Sequence, residues 1–209
     1  MERGKFFQSN HRTRIYLDAI AEVIGHHGLL ALLRLADLTY WIDHPPPYDE
    51  VWGVDFADFS QLNATLEMMY GPRGQRALTM RAGRASFDEA IEQLGPKVGL
   101  AGATFQALPV PLRIKALLEA LARGMEQHGH TAVTVRKEGA QFIYSVHTCS
   151  MCWGQHDVEH PVCHGTVGFL LQALTWAEVG DDFQVEESRC SATQAAGDGR
   201  CEFTVSAIA

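Results

Sequence analysis

The sequence predicts a mixed α/β fold, more strictly α+β, and three observations carry that expectation. Apolar residues recur with helical spacing through residues 1–128. After Gly129 the pattern switches to two-residue alternation, the signature of half-buried strands. Two strand pairs then flank one helical segment, so the C-terminal part reads β-β-α-β-β with a helical N-terminal half packed on its antiparallel sheet. At 209 residues, 46% hydrophobic and 20% charged, the chain can bury a sizeable core and is expected to be a single domain of two parts, 1–128 and 129–209.

Each element has its own signal. Ser9 and Asn10 are N-cap residues for a helix through Ile15, Ile20, Val23 and Ile24 that stops near Gly25. Gly28 restarts an apolar stretch, LLALLRLADLTYWI, that runs to Pro45, Pro46 and Pro47. Ser60 is placed to cap LNATLEMMY, closed by Gly71-Pro72, and helical spacing resumes from Gln75 to Leu94 before Gly95-Pro96. Pro111 fits the first turn of LRIKALLEALARGMEQ. TAVTVRK and QFIYSVH form a hairpin around Glu138-Gly139. A helix from His164 to Glu178 follows, and then strands DFQVEE and CEFTVSA on either side of a Gly-Asp-Gly loop.

A net charge of -8 argues against nucleic acid, whose phosphates call for clustered Lys and Arg, and no polybasic run addresses an anionic membrane. The N-terminus lacks the apolar core of a secretory signal. Ile20 to Ala36 is broken by Glu22, His26, His27 and Arg34, so it reads as core helix rather than a membrane span. A cytoplasmic location is the resulting expectation. The five cysteines are odd in number and all lie between Cys149 and Cys201, which points to metal or redox chemistry rather than a disulfide framework.

Alternation says where candidate ligands face. Phe183, Val185 and Glu187 share one strand face, as do Cys201, Phe203 and Val205. An inward Glu187 needs a cation, because an unpaired buried carboxylate costs several kcal/mol. Cys163 stands on the apolar face of the following helix with Val167, Leu170 and Leu174, and Cys190 lies three residues past Glu187. Cys163, Glu187, Cys190 and Cys201 therefore form a candidate metal site, and three thiolates with one carboxylate suit tetrahedral zinc. The alternative is that these cysteines are merely small buried hydrophobes.

The stretch HPVCHGTVGFLLQALTWAEVGDDFQVEESRCSATQAAGDGRCEFTV resembles the 4-vinyl reductase domain family. The resemblance rests on a Cys opening a helix, E-x-x-C after the next strand, and a Gly-Asp turn before a Cys that begins the last strand. It covers about the last fifth of the chain, and the loop between Cys190 and Cys201 is longer than in the family's aromatic sensors. It implies a ligand-binding fold shared with NO-signalling and Golgi-transport proteins. It also implies zinc at Cys163, Glu187, Cys190 and Cys201, and a hydrocarbon-like or tetrapyrrole-like ligand.

Upstream, HTCSMCWGQHDVEHPVCH adds the pair Cys149 and Cys152. They are open to several readings: a second metal site, alternative ligands for the first, a redox-active pair, which usually needs a thioredoxin-like helix N-terminus that is absent here, or a free pair. Covalent haem attachment is disfavoured, since Trp153 replaces the required His. Gly71-Pro72-Arg73-Gly74 reads as a turn, and Met68, Met69, Tyr40, Trp41, Phe169 and Trp176 as core. Four protein ligands leave no open metal position, so the expected function is a zinc-stabilised module binding an apolar small molecule, as sensor or carrier. The rival is an enzyme or accessory protein in reduction of a chlorophyll precursor's vinyl group, although no nicotinamide or flavin fingerprint is present. A homodimer through the apolar segment Leu29 to Leu35 completes the expectations.

Overall fold

The computed structural model describes residues 2–94, 103–193 and 199–208. Its elements run β1 (Phe7–Gln8), α1 (Asn10–Leu35), α2 (Tyr40–Asp43), β2 (Val54–Asp55), α3 (Phe56–Leu94), α4 (Ala103–Gln106), α5 (Val110–Gln127), β3 (Ala132–Glu138), β4 (Gln141–His147), α6 (His164–Trp176), β5 (Phe183–Arg189) and β6 (Arg200–Ala207). The α+β architecture is the expected one. β3 to β6 form an antiparallel sheet in the order β3-β4-β6-β5, and α5 and α6 pack against its two edge strands. α3 packs on both α1 and α6, so the helical half is continuous with the helix of the C-terminal unit.

Ser9 caps α1, its hydroxyl accepting from the Arg12 N–H at 3.2 Å. Gly25 is non-helical (φ 77°, ψ 161°), so α1 is two shorter helices meeting at a kink. By length and composition α1 could cross a membrane, but the kink leaves neither part near the ~20 continuous residues a span requires. The second part ends at Leu35 rather than running to the prolines, because Asp37 adopts a left-handed φ of 57° before the separate turn of α2. α3 is interrupted in the same way at Gly71 (φ 69°), directly before Pro72, which lacks the N–H a continuing helix would use.

Ser60 is not the cap of α3. The helix begins at Phe56, where the Asp55 carboxylate accepts from the Ala57 N–H at 2.8 Å. Ser60 is instead buried within the first turns and accepts from the Gln155 amide at 2.9 Å. The short β1–β2 ladder, Phe7 opposite Asp55 and Gln8 opposite Val54, has too little sequence to show alternation and went unforeseen. Pro111 lies in the first turn of α5, and Gly139 supplies a left-handed φ of 60° in the tight turn between β3 and β4. Met68 and Tyr40, expected in the core, are exposed. Gly95-Pro96 and most of the Gly-Asp-Gly loop lie outside the described residues.

α3 and α6 meet at backbone distance. A Cβ on Gly168 would lie 2.1 Å from the Met80 carbonyl oxygen, and one on Gly83 would lie 2.0 Å from that of Gly165. Side chains therefore cannot separate the helices there.

Candidate functional site: a thiol cluster beside an apolar cavity

The sheet and α6 bring all five cysteines together, each buried and each a free thiol. β6 turns Cys201 inward with Phe203 and Val205, as alternation requires. Cys163 is the residue that opens α6. β5 points Glu187 inward, and a bulge between Glu187 and Arg189 re-aims the strand end, so that Cys190 reaches the same side. Cys149 and Cys152 enter from the loop after β4.

The Sγ–Sγ distances are 3.7 Å for Cys149–Cys163, 3.5 Å for Cys152–Cys201 and 3.9 Å for Cys163–Cys201. Sulfurs around one tetrahedral ion with bonds of ~2.3 Å would lie ~3.8 Å apart. Two ligand sets close within 4.8 Å: Cys149, Cys152, Cys163 and Cys201, and the expected Cys163, Glu187, Cys190 and Cys201. They share Cys163 and Cys201, so Cys149 and Cys152 belong to the same cluster and not to a distant second one. Glu187 accepts from the Cys163 N–H at 2.8 Å through Oε2, while its buried Oε1 has no hydrogen-bond partner. Burial, and then the neighbouring Cys190 and Cys201, push the Glu187 carboxyl well above its ordinary range. Burial likewise raises the Cys163 thiol, whereas hydrogen bonds from Cys152 and Cys163 bring Cys190 down to about 7.

Next to the cluster lies a cavity of about 140 Å³. Its walls come from α1 (Ile15, Tyr16), α3 (Phe59, Phe87), α5 (Leu121) and α6 (Phe169), among others. Met151, between Cys149 and Cys152, and Gly165, two residues past Cys163, also line it. The space therefore falls between the helical half and the sheet, with the thiol loop and the start of α6 forming part of its wall. Its polar members are few. Tyr16 donates to Asn63 at 2.9 Å, and His11 and His128 turn Nδ1 toward Glu50 at 3.4 and 2.6 Å. Burial lowers the His128 pKa, and Glu50 opposes that shift only in part.

Sequence reasoning missed Arg12 and Tyr144 as cavity residues. Arg12 had a signal: it falls three and four residues before Ile15 and Tyr16, on one helical face, so a cation interrupts an apolar stripe. Tyr144 stood only as a residue of the strand QFIYSVH, with no facing assigned to it.

No protein-family model and no curated protein matches this sequence. Solved structures do share the fold. An unliganded Fe(II) H-NOX protein from K. algicida is 10% identical, covering 96% of this chain and 97% of its own at a TM-score of 0.58. A point mutant of T. tengcongensis H-NOX is 10% identical, covering 94% and 97% at 0.56. A mutant H-NOX domain from Shewanella oneidensis, in the Fe(II)CO ligation state, is 11% identical, covering 92% and 97% at 0.54. H-NOX denotes haem NO/oxygen-binding domains, so the expected ligand-binding fold of the NO-signalling kind is the one found. At these identities the likeness establishes fold alone, and the 4-vinyl reductase resemblance gains no support from it.

Zinc, expected as the cofactor, is overturned by this finding: the structures that share the fold are haem proteins, one of them described by its haem distortion. The cavity does not fit haem either. An engineered apolar cavity of ~150 Å³ holds one benzene, and a porphyrin macrocycle is far larger than the 140 Å³ of this partly open cavity.

Proposed function

We propose that this protein is a binding module that captures one compact, largely apolar molecule in the cavity beside the thiols and acts as a sensor or carrier. The observation that carries the reading is the cavity itself: about 140 Å³, walled mainly by aliphatic and aromatic side chains drawn from four helices and β4. Sites of this composition bind through shape and burial, with a few polar groups setting orientation. Ring-sized ligands match the volume.

Cys163, Glu187, Cys190 and Cys201, joined by Cys149 and Cys152, serve in this reading as a thiolate site for a single metal ion that braces the sheet against α6. The sulfur spacing and the unpaired Glu187 Oε1 support it. The chain acts as one unit of two parts, 1–128 and 129–209, and its free thiols suit a reducing, cytoplasmic setting. The proposed homodimer face of the segment Leu29 to Leu35 is its exposed side at Leu35, 55% exposed, since Leu32 and Leu33 are buried in the core.

Toluene tests the cavity. It is expected to raise the melting midpoint of the native protein in a dose-dependent way, because a ligand that binds only the folded state stabilises it. Ala90→Phe, which fills the cavity from a half-buried position in α3, should abolish the effect while leaving the far-ultraviolet circular dichroism unchanged. A native protein indifferent to toluene and to other ring-sized hydrocarbons would end this reading.

A further inference from the structure

The cavity is not wholly apolar, and the exception is a cation. Arg12 lines it from the first turn of α1. The residue as a whole is only partly buried, but its Nη1 is sealed from solvent and has no hydrogen-bond partner. Among the described residues no carboxylate pairs with Arg12. Glu50, the acid beside the lining histidines, is turned to His11 and His128. Tyr144 and Cys149, whose thiol is held well below its ordinary range, favour the charged form of Arg12, but neither gives Nη1 a hydrogen bond. Burial nevertheless draws the guanidinium pKa down from its ordinary value.

An arginine in such a place is expensive unless something completes it. An unsatisfied buried donor costs ~1–3 kcal/mol, and more when charged. Its planar fork is suited above all to a carboxylate, which it can grip through two parallel N–H bonds. The rest of the cavity offers the complementary half of such a ligand. Phe59, Phe87, Phe169, Leu121 and Ile15 surround a volume suited to a single ring.

Building on the cavity reading above, we propose that the ligand is a compact monocyclic carboxylic acid, its ring among these apolar walls and its carboxylate on Arg12. The acid group gives orientation and discrimination against the parent hydrocarbon. A site built to pair a polar group rejects the analogue that leaves its own group unpaired.

Benzoate and toluene, titrated calorimetrically into the native protein, separate the two claims. Benzoate is expected to bind at least tenfold more tightly than toluene, with cyclohexanecarboxylate also preferred over methylcyclohexane. Arg12→Met should erase that preference and leave toluene affinity within about twofold, whereas Arg12→Lys should retain part of it. Should toluene bind native protein as tightly as benzoate, or the benzoate preference survive Arg12→Met, the carboxylate assignment falls while the cavity reading stands. Binding of no probe at all overturns both. The native-protein comparison decides the matter even where a variant folds poorly.

Discussion

Cys201 is the residue on which most of the thiol cluster depends. It lies wholly buried in β6, belongs to both four-ligand sets, and has its sulfur 3.5 Å from Cys152 and 3.9 Å from Cys163. Cys201→Ser should therefore lose bound metal, measured by elemental analysis of freshly purified protein, and lower the melting midpoint. A buried hydroxyl with lost partners costs about 2 kcal/mol, or roughly 4–8 °C for a chain of this size. A variant with unchanged metal content and melting midpoint would remove the metal site from the proposal. The residues of this cluster were legible in the sequence because strand alternation fixes facing without any knowledge of the neighbours. Glu187 and Cys201 pointed inward for the same reason that Val185 and Phe203 did. Cys149 and Cys152 were ambiguous for the converse reason: a loop has no period, so no rule says which way its side chains turn.

Helices α3 and α6 owe their close approach to the absence of side chains at Gly83 and Gly168. Replacing a helical glycine by alanine ordinarily stabilises by about 1 kcal/mol. At Gly168 the sign should reverse, because the new Cβ would meet the Met80 carbonyl at 2.1 Å, and backbone cannot rotate away as a side chain can. Overpacking of this kind costs about 1–3 kcal/mol. Gly168→Ala is thus expected to shift the urea midpoint downward, and an unchanged or raised midpoint would show that the helices can separate. Element boundaries were readable where they rest on caps and breakers, as at Ser9, Gly25 and Gly71. They were misread at Ser60, where Asp55 competes for the same role five residues earlier and wins through its bond to the Ala57 N–H. Helix pairing itself leaves little trace in sequence, since a glycine in a helix looks like a defect until the neighbouring helix is in place.

The assembled molecule presents Leu35 and Tyr40 at the end of α1 and in α2, both about half exposed. A symmetric dimer through this face should appear as twice the chain mass in multi-angle light scattering at micromolar concentration, and Leu35→Glu should return it to the monomer. A monomer mass for the native protein would reject the interface. Most of the α+β layout followed from the change of period at Gly129. The cavity's chemistry did not, because it is made by residues as distant as Arg12, Phe87 and Leu170, which topology alone brings together.

Met151 has one further consequence. It is fixed between Cys149 and Cys152, yet its side chain forms part of the cavity wall, and a Cβ on Gly165 would strike its Cε at 2.5 Å. The loop that carries Cys149 and Cys152 thus supplies part of the cavity wall, and a shift of its backbone moves that wall. An ion that resets the loop would then change the affinity of the cavity. By thermodynamic reciprocity, an occupant of the cavity must alter the affinity of the thiols for their ion by the same factor. The wall is therefore a lever with two handles, and either can report on the other.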